Sequence, residues 1–261
     1  MKILLQLALA ILIGAPALAA KTLTIGTTAG DFANLAKDGL KPILEKKGYQ
    51  VRVIEFTDYV TPNIALAEGR IDANIFQHKP YLETFAKEKG LALKPLAQVP
   101  TAPLGLYAGK RKALADVSPG ATIAVPNDPT NLARALRILA DQGWIELAPN
   151  ANPLLVGTKD IAKNPKNLKV LPLEAAQIPR ATQDVDFAVI NGNYATNAGI
   201  ALDSALTREK SDDFINWAVV AEKNLQAEFA QDLRTALNSD EFKAYADRRF
   251  KGYKRPSAWT K

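Results

Sequence analysis

Apolar runs alternate regularly with amphipathic stretches in the chain that follows residue 20. The runs KTLTIGT, QVRVIEF and DANIF have the length and β-branched content of strands. Two stretches between them, residues 32–47 and 61–68, predict helices. Gly48 is typical of the C-terminal end of a helix, and Pro62 is typical of the first turn of a helix. The order strand, helix, strand, helix, strand predicts a parallel sheet covered by helices.

The same alternation begins again at LGLYAG, residues 104–109. Further strand-like runs follow in the order ATIAVP, KVLPLE, FAVING and NWAVVAE. Helices are predicted at residues 129–142, from Ala175, at 225–237 and at 240–250, with Ser239 as the N-cap of the last. The chain therefore contains a second α/β unit of similar length and a helical segment left over at the C-terminus.

Two α/β units followed by a returning helical segment predict an α/β fold of two lobes, with a cleft between them and two crossovers, near Tyr107 and near Asn216. One lobe would hold residues 20–106 and 222–261, and the other residues 107–221 including the hinge strands. Ligands of open α/β sheets bind beyond the carboxyl ends of the strands. The side chains at those ends are therefore the candidate site residues.

The first twenty residues, MKILLQLALAILIGAPALAA, predict a signal peptide over residues 1–19 that is cleaved after Ala19. Its apolar core is shorter than the roughly 20 residues that a membrane-spanning helix needs. The chain has no cysteine, which excludes disulfides and thiol chemistry and leaves no residue for a lipid anchor at the cleavage site. We therefore expect a periplasmic protein without a lipid anchor.

Charge and motif content exclude several classes of function. The formal net charge is +6, but the basic residues are mixed with acidic ones along the chain, which argues against a nucleic-acid partner. The motifs GxSxG, GxxxxGK[ST] and GxGxxG after a strand are absent, and one histidine cannot form a histidine-rich metal site. We expect a protein that is not an enzyme and has no cofactor or metal.

The only histidine lies at the first of three strand ends, in DANIFQHKPYLE. Phe76, Gln77 and His78 follow a strand, and Pro80 begins a helix, so these side chains should lie at the rim of the sheet. His78 suits a structural role as the cap of a turn. Alternatively, Phe76, His78 and Tyr81 form a flat apolar wall for an unbranched or sulfur-containing side chain.

The second strand end reads ATIAVPNDPTNLARAL. Asn131 lies in the first helical turn, where free backbone N–H groups and the helix dipole favour an anion. Arg134 lies about 200° around the helix from the apolar stripe begun by Leu132, so it must face water or the cleft. A solvated arginine is the ordinary outcome, whereas in a cleft the planar guanidinium is well suited to bind a carboxylate.

The third strand end is FAVINGNYA, where Asn191 and Asn193 flank Gly192. Asparagine and glycine tolerate left-handed backbone angles, so a simple turn would also explain this pattern. Asn216 begins the returning strand, and its amide could reach the hinge side of the cleft. The sequence leaves both interpretations open.

These three segments together, DYVTPNIALAEGRIDANIFQHKPYLE, PNDPTNLARAL and LEAAQIPRATQDVDFAVINGNYATNAG, resemble the NLPA family of substrate-binding proteins over nearly the whole mature chain. Methionine receptors of ABC importers are the best-known members of this family. The resemblance implies a type II periplasmic-binding-protein fold, in which two α/β lobes close on one amino acid. It also implies a membrane permease as a transient partner, and we expect the protein to be a monomer.

The resemblance also implies roles for individual residues. Phe76, His78 and Tyr81, with Tyr59 as a weaker candidate, would enclose the ligand side chain, and Arg134 would bind the carboxylate. Asparagines would hold the polar end of the ligand, namely Asn191 or Asn193, and Asn216. Asn131, in the same helical turn as the predicted anion site, completes the candidate set.

Three departures from the family pattern are present, and the second and third of them leave the ligand open. The family's lipobox cysteine is absent, the opening TTAGDFANL places Asp31 and Phe32 near the cleft, and a Tyr-x-Asn segment reads Phe214, Ile215, Asn216. Methionine, L or D, is the first expectation. Another amino acid, a Met-containing peptide, a small organic anion or, less favoured, a periplasmic enzyme on the same fold are the alternatives.

Overall fold

The computed structural model describes residues 21–259, and the predicted signal peptide, residues 1–19, lies outside them. The strands, in chain order, are β1 (Lys21–Thr28), β2 (Tyr49–Phe56), β3 (Ala73–His78), β4 (Leu93–Gln98), β5 (Gly105–Ala108), β6 (Thr122–Pro126), β7 (Glu146–Leu147), β8 (Ile161–Lys163), β9 (Lys169–Leu173), β10 (Phe187–Ile190), β11 (Thr207–Arg208) and β12 (Asn216–Ala221).

The helices are α1 (Asp31–Asn34), α2 (Lys41–Glu45), α3 (Thr61–Ala67), α4 (Lys79–Lys89), α5 (Pro129–Asp141), α6 (Ile178–Ala181), α7 (Gly192–Asn197), α8 (Glu228–Asn238) and α9 (Asp240–Arg249). A π-helical turn, Leu35–Leu40, joins α1 to α2, so the predicted helix at residues 32–47 is present but wound irregularly. Among the described residues, no helix has the length and apolar character needed to cross a bilayer.

Two five-stranded sheets form the two lobes. The first has the order β2-β1-β3-β12-β4 and the second the order β11-β5-β10-β6-β9. Within the first sheet β1 runs parallel to β2 and β3, and within the second β6 runs parallel to β9 and β10. The parallel strands therefore direct their carboxyl ends to common edges, as the alternating pattern predicts.

The chain crosses between the lobes twice. The first linker, residues 99–104, leads from β4 to β5, and the second linker, residues 209–215, leads from β11 back to β12. Strand β12 pairs antiparallel with both β3 and β4, which places residues 216–221 in the first sheet. The predicted boundaries differ here, because they assigned these residues to the second lobe, and strand pairing is not visible in a local pattern.

Helix caps fix the positions of the strand ends. The imidazole of His78 accepts a hydrogen bond from the backbone N–H of Tyr81 at the start of α4, and the carboxylate of Asp128 accepts one from Asn131 at the start of α5. Both helices also have proline in the first turn, where its missing N–H does no harm. These caps hold His78 and Asn131 at the edges of their sheets.

Buried side chains form a packed core in each lobe beneath the strand ends. In the second lobe, Phe187 of β10 packs against Trp144 with ring centroids 4.9 Å apart, and Leu136 and Leu139 of α5 are fully buried beside them. All six residues of β3 are buried as well, because helices cover both faces of the first sheet. The site residues at the strand ends are therefore attached to backbone that is well packed.

Candidate functional site

A cavity lies between the lobes at the carboxyl ends of β3 and β10. The structure brings all the sequence-predicted site residues to this cavity, and their role in binding stays a prediction. The residues are Tyr59, Phe76, His78, Tyr81, Asn131, Arg134, Asn191, Asn193 and Asn216. The first four belong to the lobe that begins the chain, and Asn131, Arg134, Asn191 and Asn193 to the other.

An aromatic wall forms the first-lobe side of the cavity. The rings of Tyr59 and Phe76 stack with centroids 5.6 Å apart, and Tyr81 meets both edge-on, at 5.9 Å and 6.2 Å. The hydroxyl of Tyr81 donates to the backbone carbonyl of Tyr59, at 3.0 Å, which fixes both rings. Three rings that contact one another at these distances offer a rigid, mostly apolar surface to a ligand side chain.

His78 links the two lobes as a neutral imidazole. Its Nδ1 accepts the backbone N–H of Tyr81 at 3.1 Å, so the proton is on Nε2, which donates to Oδ1 of Asn131 at 3.1 Å. Burial lowers the pKa of His78 well below its usual value, and the nearby positive charge of Arg134 lowers it further. The predicted cap role and the predicted cleft position are therefore both present in one side chain.

The low pKa of His78 gives a testable pH dependence. In the unfolded chain a histidine takes up a proton below about pH 6.5, whereas the folded protein resists this, so stability should fall as pH drops below about 6.5. For one group the loss is at most about 1.4 kcal/mol per pH unit. Urea unfolding at neutral and mildly acidic pH should show this loss, and His78→Asn should reduce it. Equal losses in both proteins would contradict the assignment.

Asn131 organises the polar side of the cavity. Its Oδ1 accepts hydrogen bonds from His78, from Nη1 of Arg134 at 2.7 Å and from Nδ2 of Asn191 at 3.1 Å. Its own Nδ2 donates to Asp128 at 2.8 Å. Burial raises the pKa of that Asp128 carboxyl, while the hydrogen bonds from Asn131 act in the opposite direction. One amide oxygen thus fixes three of the groups around the cavity.

Arg134 is buried and does not face bulk water. Its guanidinium lies over the ring of Phe214, 4.6 Å from the centroid, and the same ring meets His78 edge-on at 5.2 Å. Its Nε and Nη2 donate to the two carboxylate oxygens of Glu209, at 2.8 Å and 2.5 Å. Of the two predicted orientations, toward water or toward the cleft, the structure shows the second, but the guanidinium already has a carboxylate partner within the protein.

Asn191, Asn193 and Asn216 differ in which of their amide atoms have a hydrogen-bond partner within the protein. Oδ1 of Asn191 is buried without a hydrogen-bond partner, while its Nδ2 is held by Asn131. Asn193 accepts the hydroxyl of Tyr59 at 2.8 Å, across the cleft. Asn216 donates to the backbone carbonyl of Phe76 at 2.9 Å, because it lies opposite His78 in the register of β12 on β3. Asn191 therefore presents an unsatisfied acceptor at the cavity.

Phe32, which the sequence placed near the cleft, lines the cavity. Other residues of the site carried little signal in the sequence. Thr101 lines the cavity as well, and its hydroxyl accepts the backbone N–H of Asn216 at 2.8 Å. Glu209 gives no motif at all and is recognisable only through its contact with Arg134. Asp31 does not line the cavity, and its carboxylate accepts the hydroxyl of Thr196 in α7, which joins the lobes at a second place.

Comparison of the sequence with known proteins gives consistent matches. The sequence model of the family described as NlpA lipoprotein matches residues 23–258. A protein of Salmonella typhi named D-methionine-binding lipoprotein MetQ is 40% identical over 232 residues, covering 87% of this chain and 85% of the relative.

Solved structures of similar proteins share the whole fold. A nutrient-binding protein from Burkholderia cenocepacia, bound to methionine, superimposes with a TM-score of 0.85 at 39% identity and covers 90% of this chain and 99% of its own. A periplasmic substrate-binding protein of an ABC transporter from Coxiella burnetii gives a TM-score of 0.81 at 38% identity, with 87% and 96% covered.

These names correct one prediction. The matching family is described as a lipoprotein family, and the relative from Salmonella typhi is named a lipoprotein. The predicted location, a periplasmic protein without a lipid anchor, is contradicted by these findings. The prediction rested on the lack of cysteine in the sequence, and that observation alone was too narrow a basis against the consistent description of the relatives.

The predicted fold, two α/β lobes with a cleft and two crossovers in the type II periplasmic-binding-protein arrangement, is confirmed by the two sheets and by the structural neighbours. The family predicted from the three strand-end segments is confirmed as well, because the match extends over nearly all of the described residues. The chain belongs to the NlpA lipoprotein family.

Proposed function

We propose that this chain is the substrate-binding protein of an ABC importer and that it binds methionine, L or D, between its lobes. The observation that carries the proposal is the cavity itself, which has an aromatic wall on one lobe and a buried guanidinium on the other. Relatives named for D-methionine binding and a neighbour bound to methionine support the choice of ligand.

Each part of a methionine zwitterion has a counterpart among the lining residues. The carboxylate would accept the N–H groups of Arg134 that no protein partner uses. The ammonium would donate to the unpartnered Oδ1 of Asn191. The thioether would lie against the rings of Tyr59, Phe76 and Tyr81, where sulfur makes favourable contacts. His78 would stay neutral and contribute the edge of its ring.

The mechanism that we propose is closure of the lobes on the ligand. Cross-cleft hydrogen bonds run from His78 to Asn131 and from Tyr59 to Asn193, so the described arrangement is a closed one. A ligand that contacts both lobes favours this closed form over open forms, because only the closed form makes both sets of contacts. The closed protein would then be the form that the membrane permease recognises.

Several further statements belong to the same proposal. We infer a protein that acts as a monomer, has the permease as a transient partner, and needs neither nucleic acid nor a cofactor or metal. We also infer that it is not an enzyme. The lining of the cavity supports this, since its one permanently charged side chain, Arg134, is paired with Glu209.

Thermal unfolding in the presence of candidate ligands tests the proposal. Methionine at ten times its dissociation constant should add about 1.4 kcal/mol to the stability of the folded protein. Other amino acids, a Met-containing dipeptide and small sulfonates and phosphonates serve as comparison compounds. A larger shift with any of these would replace methionine as the ligand, and slow chemical turnover of the bound compound would point to an enzyme.

Native mass spectrometry of protein that has never been refolded gives an independent measurement. We expect a 1:1 complex with methionine that survives purification, because closure of the lobes buries the ligand. A different bound mass would identify the actual ligand directly. Protein complexes of two or more chains in the same spectrum would contradict the proposed monomer.

A further inference from the structure

Glu209 begins the second linker and binds Arg134 without lining the cavity itself. The two side chains are almost completely buried, with 6% and 4% of their surfaces exposed. Such a buried pair is expensive to desolvate, and its formation is favoured only with good geometry and further hydrogen bonds. Here both conditions are met, which indicates that the pair has a defined role in the site.

The pair occupies one edge of the guanidinium. Glu209 takes the hydrogen of Nε and one hydrogen of Nη2, and Asn131 takes one hydrogen of Nη1. Of the five N–H groups of an arginine, two therefore remain without a protein acceptor. A ligand carboxylate can bind Arg134 only through these two, on the side that Glu209 leaves open.

Glu209 is itself anchored by both linkers. Its Oε1 accepts the backbone N–H of Leu104, the last residue of the first linker, at 3.1 Å, and its own backbone N–H donates to the carbonyl of Leu104 at 3.0 Å. A ligand carboxylate is therefore not expected to displace Glu209 from Arg134, because this would leave a buried N–H unpaired as well.

Neither Lys254 nor His78 adds net positive charge beside the pair of Arg134 and Glu209. Lys254 approaches Oε1 of Glu209 at 3.9 Å but also pairs with Asp212 at 3.3 Å. His78 is a neutral donor, as its hydrogen bonds show. The charge of Arg134 is cancelled by Glu209, so a bound monoanion would bring an uncompensated negative charge into a buried site, whereas a zwitterion would bring none.

We propose that Glu209 is a specificity-determining residue: it cancels the charge of Arg134 and fixes its orientation, so that the cavity selects a carboxylate with a neighbouring ammonium over an anion with the same side chain. This inference rests on the proposed function and deepens it. It also favours an amino acid over the sulfonates and phosphonates that the sequence alone leaves open.

Isothermal titration calorimetry with two ligands tests this role. The first is methionine, and the second is 4-(methylsulfanyl)butanoate, which is methionine without its α-amino group. Wild-type protein should prefer methionine strongly. Glu209→Gln keeps the size of the side chain but removes its charge, and we expect the ratio of the two affinities to fall by about tenfold or more, with the anion gaining affinity in absolute terms.

Two further variants separate charge from geometry. Asp213→Asn, on the same linker, removes an exposed carboxylate that does not line the cavity, and it should leave the ratio unchanged. Glu209→Asp keeps the charge but shortens the side chain, so both affinities should fall while the ratio stays within about threefold of the wild type. This variant also tests the inference if the glutamine variant does not fold.

The outcomes distinguish a failure of the proposed methionine binding from a failure of the proposed role of Glu209. A wild-type protein that does not bind methionine overturns the proposed function. A wild-type protein that binds methionine with a ratio that Glu209→Gln leaves unchanged overturns only the role of Glu209. A ratio that collapses in Glu209→Asp would likewise overturn selection by charge, because the charge is still present in that variant.

Discussion

Replacing Arg134 with alanine should weaken methionine binding by about 2–5 kcal/mol, the range found when one partner of a buried charged hydrogen bond is truncated. The reason is that the remaining N–H groups of Arg134 are the only guanidinium donors among the lining residues of the cavity, all of which the structure describes. Calorimetry with wild-type and variant proteins measures the difference directly.

The same substitution should also destabilise the protein without ligand. Glu209 would lose both of its charged hydrogen bonds and stay buried, and breaking a buried pair in this way costs about 3–5 kcal/mol. The double variant Arg134→Ala, Glu209→Gln should recover part of this stability but none of the binding. Urea unfolding therefore separates the structural role of Arg134 from its role toward the ligand.

Arg137 provides the matched control for this experiment. It lies one turn further along α5 and also approaches the Phe214 ring, at 6.0 Å, but it does not line the cavity. Arg137→Ala removes the same positive charge from the same helix and should leave methionine affinity nearly unchanged. Equal losses for the two arginines would indicate a general electrostatic effect, and an unchanged affinity in Arg134→Ala would remove Arg134 from the site.

Gly192→Ala should also have a large effect, because there is no space for a side chain at this position. A Cβ at Gly192 would lie 2.5 Å from Cβ of Ala102 and 2.7 Å from its carbonyl carbon and oxygen, in the first linker. We expect a loss of about 1–3 kcal/mol in stability, as for other overpacked positions. Displacement of α7 would also move Asn191 and Asn193, so methionine affinity should fall at least about tenfold.

Gly157→Ala is the control for this prediction. The nearest atom to a Cβ at Gly157 is 3.9 Å away, and the residue has no positive φ that would disfavour alanine. Its stability should stay within about 0.5 kcal/mol of the wild type, and its affinity should not change. If Gly192→Ala also left stability and affinity unchanged, the first linker must shift to make room for the new methyl group. Close packing of α7 against that linker would then not be what positions Asn191 and Asn193.

Those parts of the fold that depend on local signals could be predicted from the sequence. The cap at His78 was predicted, because Pro80 marks the first turn of a helix directly after it. The helical angle between Arg134 and the apolar stripe predicted that this side chain faces either water or the cleft, and the structure shows the cleft. These signals need no knowledge of distant residues.

Other features could not be predicted, because they depend on contacts between residues far apart in the chain. Glu209 lies 75 residues after Arg134, and no pattern around it indicates a buried ion pair. Strand β4, sequence LKPLAQ, contains a proline and gives a weak strand signal, yet it pairs with β12 at the edge of the sheet. For the same reason the sequence-based boundaries assigned β12 to the second lobe, whereas the strand pairs with β3 and β4 in the first sheet.

The position of β12 between β3 and β4 has a consequence for how the protein is made. All strands of the second sheet come from one continuous stretch, residues 105–208, so this half can fold while the ribosome is still adding residues. The first sheet can be completed only after β12 has been synthesised, because β4 has no neighbour in its sheet except β12. A nascent or truncated chain that ends before Asn216 would expose unpaired backbone on β3 and β4, the kind of edge on which aggregation begins.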